Sequence, residues 1–207
     1  MNTQKQANPD HPINELIARR WSPYVFADRP VSTEDLRSAF EAARWAASSY
    51  NEQPWSYIVA VKHDEDAFQT LLSCLVEGNQ GWASAAPVLA IGCTNLKFTR
   101  NGQPNAAAVH DLGLASANLT FEATARGLFV HQMIGILPDK ARELYRIPEG
   151  IQPVTGLAIG YAADPNTLSS EYQTRDLASR GRKTLSQFVF GGEWGSASQI
   201  TKSIHPD

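Results

Sequence analysis

The 207-residue chain has little of several things, and each shortage removes a class of function. It holds only two cysteines, Cys74 and Cys93, each in an apolar run ("LLSCLV", "LAIGCT"). Two thiols are too few for a disulfide framework or a cysteine-ligated metal site, and both read as buried free thiols. No apolar run reaches the roughly 18 residues that a membrane-spanning helix needs. The first ten residues, MNTQKQANPD, have no apolar core, so no signal peptide is expected and the cytoplasm is the default location. There is no basic excess, since 18 Lys and Arg face 21 Asp and Glu for a net charge of -3, and no nucleic-acid partner is expected.

Motifs are missing too. No GxGxxG marks a Rossmann nucleotide fold, and "GRKT" at Gly181–Thr184 lacks the glycine-rich loop of a phosphate-binding Walker motif. No HExxH, GxSxG or CxxC occurs. His11, His63, His110, His131 and His205 are scattered, none paired at ligand spacing, so no metal site is expected. A local arginine cluster could still hold one anion on an acidic chain.

What is present is an ordinary globular composition, 43% hydrophobic and 19% charged. Residues 1–10 read as a disordered lead, and 11–207 as one domain. Helical spacing is expected over Pro12–Arg20, Ser32–Ala46, Asp64–Glu77, Asn105–Arg126 and Pro138–Tyr145. Ser32 suits an N-cap, with Asp35 three positions on and Val31 and Leu36 placed as a hydrophobic staple. Strands are expected at Ser56–Val61, Val88–Cys93, Leu128–His131 and Val154–Gly160. Asn105–Arg126 is apolar nearly all round and carries only Asp111 and Glu122 as acids. Such a helix belongs to a core, either the subunit's own or a dimer's. Past Tyr161 the tail is polar until the apolar patch Phe188–Trp194. The sum is an α+β domain around one sheet, without the strict alternation of a doubly wound fold.

Two segments carry polar chemistry. In "ARRWSPYVF" (Ala18–Phe26), Arg20 and Ser22 put a forked cation and a hydroxyl beside a helix end broken by Pro23; an exposed arginine of this kind is otherwise a solvated helix face. In "AASSYNEQPW" (Ala46–Trp55), Ser48, Ser49, Asn51 and Gln53 form a dense row of neutral donors and acceptors. That row would suit a heterocycle rich in carbonyls and ring nitrogens, though turns have the same composition.

Together the two segments resemble the nitroreductase family. The first is similar to the family's Arg-x-Ser opening, with Tyr24 where many members have a second basic residue. The second follows the family's Ala-Pro-Ser-Ser-x-Asn-x-Gln-Pro-Trp signature, with Ala47 in place of the proline. "HDLGLASANLTFEATARGLFVHQMIG" resembles the family's central dimer helix and the loop after it, and "VTGLAIGYA" its last core strand. The resemblance runs from about Pro12 to Gly195.

It implies a nitroreductase-like fold: a central mixed or antiparallel sheet flanked by helices, a long dimer helix and a swapped C-terminal tail. It implies FMN, with Arg20, Ser22, Arg180 and Arg182 on the phosphate and Ser48, Ser49, Asn51 and Gln53 on the ring, the latter from the partner subunit. It implies backbone at Met133, Ile134 and Gly135 facing the ring, with an N–H toward N5. It further implies a homodimer in which hydride passes from NAD(P)H through flavin N5 to an electron-poor acceptor such as a nitroaromatic, quinone or activated alkene or aldehyde, by a ping-pong cycle. The cofactor would carry the hard chemistry, and no side chain is expected as a catalytic acid or base. Trp82 and Phe98 could lie at the mouth or simply pack, and His131 could act on substrate or be structural. His110 reads as an interface or helix-start residue. Two alternatives remain: a same-fold flavoprotein with other chemistry, such as a dehalogenase or dehydrogenase, and a flavin-binding protein without turnover.

Overall fold

The structure, a computed structural model, describes residues 5–164, 166 and 170–201. Its elements in chain order are α1 (Glu15–Arg19), α2 (Thr33–Arg44), β1 (Trp55–Val61), α3 (Glu65–Leu72), α4 (Glu77–Ala83), β2 (Val88–Asn95), α5 (Ala108–Ala125), β3 (Phe129–Met133), α6 (Pro138–Tyr145), β4 (Ile151–Gly160) and α7 (Ser170–Leu177). The four strands form one sheet in the order β1-β2-β4-β3, and every pairing is antiparallel.

Strand β2 is buried from Val88 to Thr94 because helices cover both faces of the sheet. Its side chains alternate, as a pleated strand requires. Leu89, Ile91 and Cys93 enter a core with Phe68, Leu71, Leu75, Trp82 and Ala141, beneath α3, α4 and α6. Val88 and Ala90 enter the opposite core with Ala39, Ala43, Ala115, Leu119 and Leu157, beneath α2 and α5. This double cover explains why VLAIGCT reads as an unbroken apolar run.

Local signals set the element ends. The Ser32 hydroxyl accepts from Asp35 N–H at 3.0 Å and caps α2, while Val31 and Leu36 pack on the same core. Gly127, at φ 77°, follows the end of α5. The helix expected over Asp64–Glu77 stops at Leu72, because the chain between α3 and α4 is tied into an extended contact: Leu75 bridges Ile136, and Leu137 N–H donates to the Cys74 carbonyl at 2.7 Å. Helix α5 begins at Ala108 rather than Asn105, whose side chain accepts from Ala107 N–H.

Half of α5 faces the subunit's own core, including Ala108, Leu112, Ala115, Leu119 and Ala123. Thr120 and Thr124 are buried with their hydroxyls bonded back to the Ser116 and Thr120 carbonyls. The opposite stripe, through Val109, Gly113, Ala117 and Phe121, is exposed or only half-buried. Ala115 is therefore a core residue, not part of the uncovered face.

The tail is less independent than its polarity suggests. Asp176 of α7, 1% exposed, accepts from Tyr24 N–H and Val25 N–H at 3.0 Å each. Tyr172 stacks on Tyr24 with ring centroids 5.8 Å apart. Lys5, within the stretch read as a disordered lead, is 7% exposed and donates to the Arg175 and Ala178 carbonyls. Residues 1–4 of that lead lie outside the described residues. From Leu185 on, the tail leaves Phe188 and Trp194 exposed.

Candidate functional site

One half of the site is a group of cations. Arg20 follows α1, and its Nη1 donates to the Ser22 hydroxyl at 3.2 Å. Burial, then the nearby charges of Arg180 and Arg182, push its pKa down. Arg180 is likewise pushed down by burial and by Arg182. Three guanidiniums thus repel one another across some 160 residues of sequence. Among the described residues no carboxylate lies within salt-bridge distance of any of them. Like charges gathered without a counter-charge fit a bound polyanion, which would relieve the repulsion. Beside them a cleft of about 260 Å³ is lined by Arg20, Ser22, Ala117, Thr120, Phe121, Val130 and Gln132. A larger cleft, about 990 Å³ between α2 and α5, does not match this chemistry: its cations Arg37 and Arg126 lie among Glu41 and Glu122, and Arg126 is paired with Glu122.

The other half is the Ser48–Gln53 loop. Tyr50, Asn51 and Gln53 all have left-handed backbone, at φ 53°, 56° and 52°. Non-glycine residues pay for this conformation, and strain held by its surroundings is typical of a functional segment. Three pins hold it. Gln53 N–H donates to the Ser48 hydroxyl at 3.0 Å. Ser49 N–H donates to Asp111 Oδ2 at 2.9 Å. Glu52 Oε1 accepts from both the amide and the hydroxyl of Thr99 at 2.7 Å.

A third segment, Met133–Ile134–Gly135, leaves the end of β3. Ile134 is 88% exposed, unusual for a large apolar side chain. The Gly135 carbonyl accepts from Val76 N–H and from Asn79 Nδ2. A Cβ on Gly135 would overlap Asn79 Nδ2 and come within 2.9 Å of Val76, so only glycine fits so close an approach.

The sequence-picked residues therefore fall into three groups. Arg20, Ser22, Arg180 and Arg182 converge, but Arg180 is also occupied by the Lys5 and Ala18 carbonyls, at 2.9 and 2.7 Å. Ser48, Ser49, Asn51 and Gln53 share one loop. Within one chain the loop meets α5 at Asp111, whereas the Arg20 cleft meets it at Ala117–Phe121. That is about 14 Å along the helix axis for the nine residues from Asp111 to Thr120.

Trp82 is 2% exposed and packs in the core. His131 is structural in the same way: its Nδ1 sits 2.9 Å from the Pro23 carbonyl, its ring packs on Tyr24 and Trp82, and burial pushes its pKa down. Phe98 instead borders the loop, with its ring 5.7 Å from Tyr50 and Arg100 against both rings. Both cysteines are buried and free, and burial pushes the Cys93 thiol up to about 11. Sequence reasoning did not pick out Gln132, whose Nε2 donates to Thr120 Oγ1 at 3.0 Å. Its signal was only its polar place in an apolar strand.

A cation group, a strained polar loop and a closely packed turn thus lie around one antiparallel sheet. Residues 17–161 match the Nitroreductase family, and the chain belongs to that family of oxidoreductases. A solved structure described as an oxidoreductase containing FMN is 31% identical, with a TM-score of 0.85 over 95% of this chain and 99% of that one. The FMN reductase (NAD(P)H) of Bacillus subtilis strain 168 is 26% identical over 156 residues, 67% of this chain and 61% of its own length. An uncharacterized 15.4 kDa protein of the ask 5′ region of Mycolicibacterium smegmatis is 33% identical over 132 residues, 64% of this chain and 87% of its own.

Proposed function

We propose that this chain is an FMN-dependent NAD(P)H oxidoreductase acting as a homodimer. The observation that carries the reading is the convergence of Arg20, Arg180 and Arg182 beside Ser22, none of them salt-bridged to a carboxylate among the described residues. The residues fit the group on both counts: the cations match a phosphate dianion, and the Ser48–Gln53 row offers donors and acceptors to a pyrimidine edge. Bound FMN would supply hydride transfer between NAD(P)H and an electron-poor acceptor (a nitroaromatic, a quinone or an activated alkene or aldehyde), as a ping-pong cycle.

The chain's own residues bind, orient and shield. Arg20, Arg182 and the free donors of Arg180 hold the phosphate by charge-assisted hydrogen bonds, with Ser22 adding a hydroxyl. Ser48, Ser49, Asn51 and Gln53 fix the ring's polar edge. Backbone at Met133, Ile134 and Gly135 would support the ring's reacting edge, where an N–H would favour negative charge. Exposed Ile134 contributes an apolar surface that limits water over the ring.

The dimer follows from α5. The loop sits at the start of this helix and the cation cleft nearer its end, so one chain keeps the two halves apart. Two α5 helices packed antiparallel through Val109, Gly113, Ala117 and Phe121 would bring one subunit's loop to the other's cations. The segment from Leu185 on, with exposed Phe188 and Trp194, would then cover the partner. The enzyme works in the cytoplasm, where NAD(P)H is supplied.

Two measurements test the proposal. Flavin released by denaturation should run as FMN, close to one per subunit; an adenine-containing flavin, or none, rejects it. Initial rates at varied NAD(P)H and varied acceptor should give parallel double-reciprocal lines. Intersecting lines would mean a ternary complex and a second site.

A further inference from the structure

We propose that Asp111 is a positioning residue for the flavin-binding loop. The inference rests on the FMN reading above and adds a residue to it. Asp111 is 2% exposed in the first turn of α5, on a helix otherwise buried through apolar and hydroxyl side chains. A carboxylate in such a place is costly unless it holds something. Its Oδ2 accepts from Ser49 N–H at 2.9 Å, and its Oδ1 lies 3.0 Å from Nδ1 of His110, which is largely exposed. The helix N-terminus favours an anion there.

What Asp111 holds is the entry to the left-handed stretch. Ser48 is extended, at φ -148° and ψ 155°, and the chain turns into Tyr50 and Asn51 directly after Ser49. Of the three pins on this loop, the Ser48–Gln53 bond is internal and cannot fix the loop relative to the sheet. Glu52–Thr99 is exposed at the surface. Asp111–Ser49 alone is anchored on a buried side chain of the long helix. Through it the loop's position is referred to α5, so the cofactor's polar edge and the uncovered stripe of the helix share one rigid reference. Losing the bond frees the loop to relax toward unstrained backbone before cofactor binds, and affinity falls by the share of ordering that binding must then supply.

The experiment compares wild type, Asp111→Asn and Asp111→Ala by two readouts: FMN dissociation constant from quenching of flavin fluorescence, and amide hydrogen exchange of the cofactor-free protein. Asp111→Ala should raise the FMN Kd about tenfold or more. It should accelerate exchange at Ser49–Gln53 while β2 and the core of α5 stay protected. Asp111→Asn keeps an acceptor oxygen and should restore both to within about threefold of wild type. Unchanged Kd in Asp111→Ala, or accelerated exchange spread evenly over the fold, overturns the proposal. If Asp111→Ala does not fold, Asp111→Asn decides: loss of FMN binding or of Ser49 protection in it rejects a hydrogen-bond role. If wild type binds no FMN, the function fails, and the exchange pattern still judges the positioning claim.

Discussion

The cation cluster and the Ser48–Gln53 loop face the same task by different means. Arg20 and Ser22 are brought to Arg180 and Arg182 by the docking of α7, through Asp176 on the Tyr24 and Val25 amides and Arg180 on the Lys5 and Ala18 carbonyls. The loop is contiguous, and its strain is held by side chains from α5 and the Phe98–Arg100 turn. In the first half the arginine charges repel one another; in the second the left-handed backbone is already pinned by hydrogen bonds. A cluster of that kind should respond to salt and tail docking, and a preformed loop to its pins.

The largest effect expected is on α5, where both halves meet. Ala115→Glu puts a carboxylate into a fully buried position and should cost more than about 4 kcal/mol, leaving no folded subunit by thermal melting. Gly113→Glu lies in open space on the uncovered stripe. It should leave a folded monomer by sedimentation that has lost both dimer and FMN. A Gly113→Glu dimer with normal flavin content would break the argument that the halves join across two chains.

Next comes the docking of the tail. Asp176→Ala strands two buried amides and should lower stability by about 2–4 kcal/mol, with FMN binding falling alongside. Stability lost with FMN affinity intact would separate the cation group from α7.

The arginines sharpen the contrast further. Arg182→Ala should weaken FMN about tenfold with little change in melting temperature, since its own bonds are local. Arg180→Ala should lower both, because it also holds the Lys5 and Ala18 carbonyls. The double change should be non-additive, as both share one anion. Equal melting temperatures for the two single variants would contradict the structural role of Arg180.

The smallest effect concerns His131, near Arg20. Burial first, with Arg20 adding and the Pro23 carbonyl opposing, pushes its folded pKa below the ordinary 6.5. Stability that depends on the neutral ring is complete above pH 6.5 and is lost as pH falls through the lower folded value. Wild type should therefore lose melting temperature more steeply below pH 6.5 than His131→Gln does. Identical slopes would remove His131 from the acid response.

Much of the loop was legible because its chemistry is contiguous: AASSYNEQPW carries the polar row and the turn residues in ten positions. The strands β2 and β4 were legible for the same reason, as apolar runs between turn signals. The end of α3 at Leu72 was not, because helical spacing continues to Glu77 and the Leu75–Ile136 bridge interrupts it. Asp111 was visible as one of two acids in an apolar helix, but its partner is a backbone amide 62 residues away, which leaves no mark in composition. Lys5 and Asp176 were hidden likewise, in segments whose polarity resembles solvent-exposed chain.

The sequence by itself determined the α+β class, the positions of the four strands, the N-cap of α2, and the family, because periodicity, turn chemistry and contiguous motifs are local. Only the tertiary structure decided that the sheet is wholly antiparallel, which stripe of α5 stays uncovered, and that arginines distant in sequence gather with no salt-bridged carboxylate among the described residues. Those are contacts between distant segments, and burial and charge act through space regardless of where residues stand along the chain.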